Sequence, residues 1–220
     1  MHRYFVTGTD TDVGKTRVTA ALALALARAG MEPRVVKLVQ TGVQPDEEGD
    51  ATRAARLAGV PALELARYRR PADPWSAALA AGEEPARARD LAAQVDELDG
   101  ALVAEGAGGI ASPLNAREHL GDVAALANLE AVLAVGLRLG CLNHTLLTLA
   151  LCRQLNLCVA GAVLVERWRP TSDEYRADVT RVLQENVRLL GILPFAPDEE
   201  RSVEAGAKLF KPLVNDKQKR

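Results

Sequence analysis

The chain has 220 residues, 48% hydrophobic but only 4% aromatic, so it is long enough for a proper buried core, and that core must be built from Ala, Leu and Val. A formal net charge of -2, with no basic run longer than Arg67–Arg70, argues against a nucleic-acid binder, which carries a basic excess or patch. The Arg67–Arg70 cluster reads as solvated surface. Cys141, Cys152 and Cys158 show neither CxxC nor Cys/His spacing. That excludes a disulfide framework or zinc site and suits free thiols in the cytosol.

In chain order, Arg3–Thr7 reads as a short buried strand, and it leaves no room for a signal peptide. A Gly-rich turn leads into an Ala/Leu helix over Lys15–Ala29, stopped by Gly30. Its apolar stretch is too short for a membrane span. Arg34–Val39 reads as a second strand, and Asp50 opens a helix to Leu57. Gly59–Pro85, with four prolines, reads as loop with one short helix, followed by a helix over Ala86–Leu98. Strands are expected at Ala101–Ala104, Ala131–Val135, Cys158–Val165 and Leu189–Leu193. Helices are expected at Leu142–Leu155 and Ser172–Asn186, with Ser172 or Asp173 as cap. Residues from about 212 onward, above all Asn215–Arg220, read as a polar, flexible tail. This alternation predicts one α/β domain over residues 1–220: a mainly parallel central sheet with helices on both faces, of the P-loop NTPase type. Ligands in such sheets collect at the carboxyl ends of the strands.

The first functional motif is Gly8-Thr9-Asp10-Thr11-Asp12-Val13-Gly14-Lys15-Thr16. It follows a strand and opens a helix, so backbone N–H groups point at an anion. Lys15 is placed to neutralise nucleotide phosphates and the Thr16 hydroxyl to sit on Mg²⁺. Five residues separate Gly8 from the Gly14-Lys15 pair, one more than the common pattern. Glu105, at the tip of Ala101–Ala104 and ahead of Gly106-Ala107-Gly108-Gly109, is an expected Mg²⁺ ligand, and Asp50 is the second. Lys37 lies among Val35, Val36, Leu38 and Val39. A lysine there is costly unless its ammonium meets an anion or water, so it is expected to point into the site beside Lys15. The bland alternative is a snorkelling surface lysine. Between strand and helix, Gly136–His144 offers a helix N-terminus that suits a carboxylate, while Cys141 and His144 read as structural.

Taken together, Tyr4–Thr11, Val13–Thr16, Lys37 with the Thr41-Gly42 turn, Glu105–Gly109 and Leu139-Gly140-Cys141-Leu142-Asn143-His144 resemble the dethiobiotin synthetase family over nearly the whole chain. The longer phosphate loop is a trait of that family. The resemblance implies conversion of diaminopelargonic acid, CO₂ and ATP to dethiobiotin, ADP and phosphate, through a carbamate and its phosphoric anhydride. It implies that Lys37, Lys15 and Thr11 serve catalysis, and that Thr41 and a partner chain's Gly140, Cys141, Leu142 and Asn143 hold the substrate in a homodimer. It places the nucleotide against Asp12, Val13, Gly14, Lys15, Thr16, Arg17, Asp50, Glu105, Gly106, Ala107, Gly108, Val165, Glu166 and Pro194. Mg²⁺ falls to Thr16, Asp50 and Glu105. Three positions depart from the family pattern: Asp12 replaces Glu, Thr41 replaces Ser, and Val165-Glu166 replaces the Asn, often followed by Asp, that reads the adenine edge. Weak discrimination between nucleoside triphosphates is therefore expected. Nucleotide-switch ATPases are the main rival class. Many carry an additional lysine early in the loop, and Gly8–Thr11 has none.

Overall fold

The computed structural model describes residues 2–218. The aliphatic runs become strands and the Ala/Leu stretches become helices, as their periodicities require. Strand β1 (Arg3–Gly8) runs into helix α1 (Lys15–Arg28), and β2 (Arg34–Lys37) is followed by the short β3 (Gln40–Thr41) and by α2 (Asp50–Ala58). Next come β4 (Ala62–Glu64), β5 (Arg67–Tyr68), α3 (Pro74–Ala81), α4 (Ala88–Asp96), β6 (Leu102–Gly109) and α5 (Leu120–Leu126). The second half holds β7 (Glu130–Gly136), α6 (Cys141–Gln154), β8 (Val159–Val165), α7 (Asp173–Gln184), β9 (Leu189–Leu193), α8 (Glu199–Ala207), a 3-10 turn (Lys208–Phe210) and α9 (Lys211–Gln218).

Among the described residues, seven strands form the main sheet in the order β4-β2-β6-β1-β7-β8-β9. Every pairing in it is parallel. Both faces are covered, as a parallel sheet requires. One face packs α1, α2, α8 and α9, through residues such as Leu22, Leu26, Ala54 and Phe210. The other packs α3 to α7, through residues such as Leu91, Val123, Leu149 and Val179. The parallel register sets Lys37 of β2 beside Glu105 of β6, and Glu105 beside Val6 of β1. Residues far apart in sequence thus meet at the carboxyl end of the sheet.

Several boundaries differ from the sequence reading. β2 ends at Lys37 rather than Val39, because Gln40–Thr41 leave the main sheet to pair with Arg67–Tyr68 in a separate two-stranded ladder. Ala62–Glu64, inside the stretch read as loop, is an edge strand on β2. Its half-solvated Ala-Leu-Glu lacks the apolar alternation that marks a strand. The short helix expected in that stretch is α3, started by Pro74 and capped by the Asp73 carboxylate, which accepts from the Ser76 N–H at 2.9 Å. β6 runs on through Glu105 to Gly109. Arg67 is not free surface. It donates to Glu64 at 2.7 and 3.0 Å and to the Gln44 carbonyl at 2.7 Å, stapling the acidic loop to the sheet edge. α8 and α9 carry no strong periodic signal, yet Leu213 and Val214 are buried against α1 and its neighbours. The segment read as a flexible tail from about 212 is therefore helical to Gln218 and docked through Leu213 and Val214, and residues 219 and 220 lie outside the described residues. Ser172 caps α7, accepting from the Tyr175 N–H. No helix among the described residues is long and apolar enough to cross a membrane.

The C-terminal docking has a measurable weight. Phe210 is 1% exposed, and Phe210→Ala is expected to cost about 3–5 kcal/mol through lost transfer energy and a residual cavity. Urea denaturation, with the midpoint falling at unchanged slope, would register it.

Candidate active site

A cleft of about 280 Å³ opens at the carboxyl ends of β1, β2 and β6. Its floor is the phosphate loop. Gly8 admits no side chain: an added Cβ would lie 2.5 Å from the Asp10 carbonyl oxygen and 2.8 Å from Val13. Gly14 adopts φ 94°, and an added Cβ there would strike Val165 at 2.8 Å, so both conformation and space demand glycine. α1 then starts at Lys15 with no side-chain cap on its first N–H groups. Those groups and the helix dipole favour an anion. Lys15 is buried and donates to the Asp10 carbonyl at 3.2 Å. Burial holds its ammonium below the ordinary value; Glu105 opposes that and Lys37 adds to it.

Lys37 lies at the centre of the cleft wall and is 1% exposed. Its ammonium donates to Asp50 Oδ2 at 2.5 Å, Glu105 Oε1 at 2.8 Å and the Gly106 carbonyl at 3.0 Å. All three N–H donors are used. Burial alone would lower its pKa, but Glu105 and Asp50 outweigh burial and hold it above the ordinary lysine value. Asp50 mirrors this. Burial pushes its carboxyl up, but Lys37, followed by Lys15 and Gln40, keeps it below the usual aspartate value. Glu105 Oε1 also accepts from the Thr16 hydroxyl at 3.1 Å, while its other oxygen, Oε2, is buried without a partner. A buried carboxylate oxygen left open beside a hydroxyl and a second carboxylate fits a hard divalent cation completed by phosphate and water. Among the described residues no group of three or more His, Cys, Asp or Glu is placed to hold a metal ion.

The structure brings Thr11, Asp12, Gly14, Lys15, Thr16, Arg17, Lys37, Thr41, Asp50, Glu105, Ala107 and Gly108 to this one cleft. Gly106 reaches it only through its carbonyl. Val13 and Val165 are packed beneath the loop and Pro194 is exposed beyond β9. Glu166 is turned into the protein. Its carboxylate accepts from Thr171 N, Phe195 N and Arg176 at 3.0, 3.2 and 2.6 Å. The Gly140–Asn143 turn does not line the cleft. It stays near the outer side of the loop, where Arg138 pairs with Asp10 and stacks on Trp168 at 5.3 Å. Cys141 is buried with its sulfur 3.5 Å from the Tyr175 hydroxyl.

Four further polar residues line the cleft and were not singled out in the sequence: Gln40, Arg53, Arg167 and Glu199. Arg53 forms a forked pair with Glu199 at 3.0 and 2.5 Å, joining α2 to α8. Arg167 donates to Asp12 at 3.1 Å, as does the Trp168 indole at 3.2 Å. Only Gln40 had a usable signal, as a polar residue between Lys37 and Thr41. The others come from helices and loops with no motif around them.

A parallel sheet with a glycine-bounded loop feeding Lys15 and Thr16 into a helix defines a P-loop NTPase. The family model described as an AAA domain matches residues 2–202. Solved structures share the fold: cobyrinic acid a,c-diamide synthase from Mycobacterium smegmatis at 17% identity, with TM-score 0.61 and 100% of this chain and 97% of that one covered. The cell division ATPase MinD from Pyrococcus furiosus matches at 20% identity, with TM-score 0.57 and coverages of 96% and 91%. Among curated relatives, the ATP-dependent dethiobiotin synthetase BioD of Rhodococcus jostii is 44% identical over 72% of this chain and 71% of that protein. That of Anaeromyxobacter dehalogenans is 36% identical over 95% and 99%. The chain belongs to the ATP-dependent dethiobiotin synthetase family.

The Glu166 cluster yields a pH dependence. Burial would raise this carboxyl, but the Thr171 N–H, Arg176 and the Phe195 N–H outweigh burial and hold it below its usual 4.5. A depressed folded-state pKa contributes stability above the unfolded value, lost as pH falls through the folded one. Thermal melts from about pH 6 to about pH 3 should therefore decline less steeply for Glu166→Gln than for the unaltered chain, and parallel curves would rule this contribution out.

Proposed function

We propose that this chain, acting as one domain, is an ATP-dependent dethiobiotin synthetase: it forms dethiobiotin, ADP and phosphate from diaminopelargonic acid, CO₂ and ATP in biotin biosynthesis. Family membership supports the overall reaction. The observation that carries the mechanism is the convergence of Lys15, Lys37, Asp50, Glu105 and Thr16 in one cleft. In the reaction, one substrate amine attacks CO₂ and loses a proton to give a carbamate. A carbamate oxygen then takes the γ-phosphoryl group and ADP leaves. The second amine attacks the carbonyl carbon of this anhydride, the ureido ring closes, and phosphate is expelled.

The residues supply position and charge rather than covalent chemistry. Lys15 and the N–H groups at the start of α1 bind the phosphates. Lys37, held by two carboxylates rather than by solvent, sits where a carbamate and a transferring phosphoryl group carry negative charge. Thr11 and Thr41, which line the cleft, would contact the carbamate or the diamine. Thr16, Asp50 and Glu105 would hold Mg²⁺, which supplies charge neutralisation of the phosphates when bound. Asp12, Arg17, Gly106, Ala107 and Gly108 border the nucleotide, with Val165, Glu166 and Pro194 toward the base. Val165 is apolar and buried, and the Glu166 carboxylate is already occupied by three donors. Neither offers a ready readout of a base edge, so CTP and GTP serve as co-substrates alongside ATP. Leu139, Leu146 and Leu147 are exposed at 92%, 40% and 62% on and beside α6. This apolar face supports a homodimer in which the partner presents its Gly140–Asn143 turn to the substrate carboxylate. The site of action is the cytoplasm.

The test is phosphate release with Mg²⁺, bicarbonate and ATP, CTP or GTP, with and without diaminopelargonic acid, and mass spectrometry for dethiobiotin. Diamine-dependent release with all three nucleotides is expected, and Lys37→Ala should lower turnover by about a hundredfold or more. No dethiobiotin with any nucleotide would overturn the activity. A strong preference for ATP in competition would overturn only the base selectivity, and full activity of Lys37→Ala only the role of that lysine.

A further inference from the structure

Gln40 is 2% exposed and lines the cleft, yet nothing in the proposed reaction uses it. A buried primary amide is costly unless both ends are bonded. Here both are. Its Oε1 accepts from the Asp50 backbone N–H at 2.8 Å, and its Nε2 donates to the Thr41 carbonyl at 3.1 Å. The two partners fix the orientation of the amide, because an N–H requires the oxygen and a carbonyl requires the nitrogen.

The two partners belong to different parts of the site. Asp50 opens α2 and touches Lys37, while Thr41 ends β3. α2 has no side-chain cap of its own, since Gly49 stands at its N-cap. Gln40 fills that role from another element. The amide is itself anchored, because the Gln40 backbone N–H donates to the Ala66 carbonyl at 2.8 Å, within the β3–β5 ladder. The space behind it is also full. A Cβ on Gly49 would lie 2.1 Å from Glu64 Oε1, 2.7 Å from Arg67 Nη2 and 3.1 Å from Gln40 Oε1. A side chain at the N-cap of α2 is therefore excluded, which leaves the Asp50 N–H to the Gln40 amide.

We propose that Gln40 is a positioning residue: its amide fixes the spacing between Asp50, on the cation side of the cleft, and Thr41, on the diamine side. The inference rests on the reading of Asp50 and Thr41 given above. Loss of partners that orient metal ligands lowers metal affinity by about 10–100-fold, whereas a merely space-filling residue is replaceable by an isostere.

Gln40→Met keeps the volume and removes both bonds. Gln40→Glu keeps an acceptor for the Asp50 N–H and loses the donor to Thr41. Three readouts apply: hydrogen exchange of the Asp50 amide without ligand, the Kd of ADP at graded Mg²⁺, and the split of kcat from the KM values for Mg²⁺ and diamine. Gln40→Met should exchange the Asp50 amide faster and need about tenfold more Mg²⁺. Gln40→Glu should keep that amide protected but raise the diamine KM. Unchanged exchange and Mg²⁺ dependence in Gln40→Met, or an unchanged diamine KM in Gln40→Glu, would overturn the proposal. Should Gln40→Met fail to fold, Gln40→Glu decides alone. Should the unaltered chain make no dethiobiotin, the proposed function falls while exchange and Mg²⁺-dependent ADP binding still decide whether Gln40 positions Asp50.

Discussion

A lysine ammonium with 1% exposure cannot stay charged in an aliphatic core without acceptors, and the geometry around Lys37 answers that requirement. Glu105 reaches it from the neighbouring strand, Asp50 from the first turn of α2 and Gly106 from the backbone of β6. Each of these fixes something else. The Lys37–Glu105 contact demands the β2–β6 register. The Asp50 contact sets where α2 begins. The Gly106 carbonyl holds β6 in line past its acidic residue. A buried ion group of this kind is weak evidence for stability, because desolvation consumes much of the attraction. Its value lies in holding the buried Glu105 and the half-exposed Asp50 within bonding distance of one ammonium, beside the phosphate loop.

The phosphate loop is framed from outside by a second set of charges. Asp10 is tied to Arg138, and Asp12 to Arg167 and Trp168. Asp12 has φ 55°, a left-handed conformation that a short acidic side chain tolerates. Beneath the loop, Val165 fills the space that a side chain on Gly14 would need. Val165 at the end of β8, with Arg167 and Trp168 just after it, therefore holds the loop from two sides. Glu166, next in sequence, turns away from the loop to Thr171, Arg176 and Phe195.

Fold and site carry different information in this protein. The sheet is shared with a cell division ATPase and with a diamide synthase at 20% and 17% identity, and such a likeness establishes architecture alone. Toward the carboxyl side of that sheet this chain carries Lys37 on β2, Glu105 on β6 and the Thr41 turn after β3.

The sequence by itself determined the parallel α/β sheet, the phosphate loop and most strand and helix positions, because period-2 and period-3.6 patterns and the Gly–Lys–Thr at a helix start are local signals. It also marked Lys37 and Glu105, since a charge inside or at the end of an apolar run is conspicuous, and Asp50, as an acid opening a helix after an acidic loop. It did not reveal that Lys37 is shared between the two carboxylates, which only the β2–β6 register and the approach of α2 decide. Nor did it reveal β4, α8 and α9, whose half-solvated residues lack a clear period. The Arg67 staple, the Arg53–Glu199 bridge and the doubly bonded Gln40 amide lay outside its reach as well. These are long-range or cross-element pairings of ordinary polar residues, and their meaning arises only when the folded chain buries them against partners that no local pattern names.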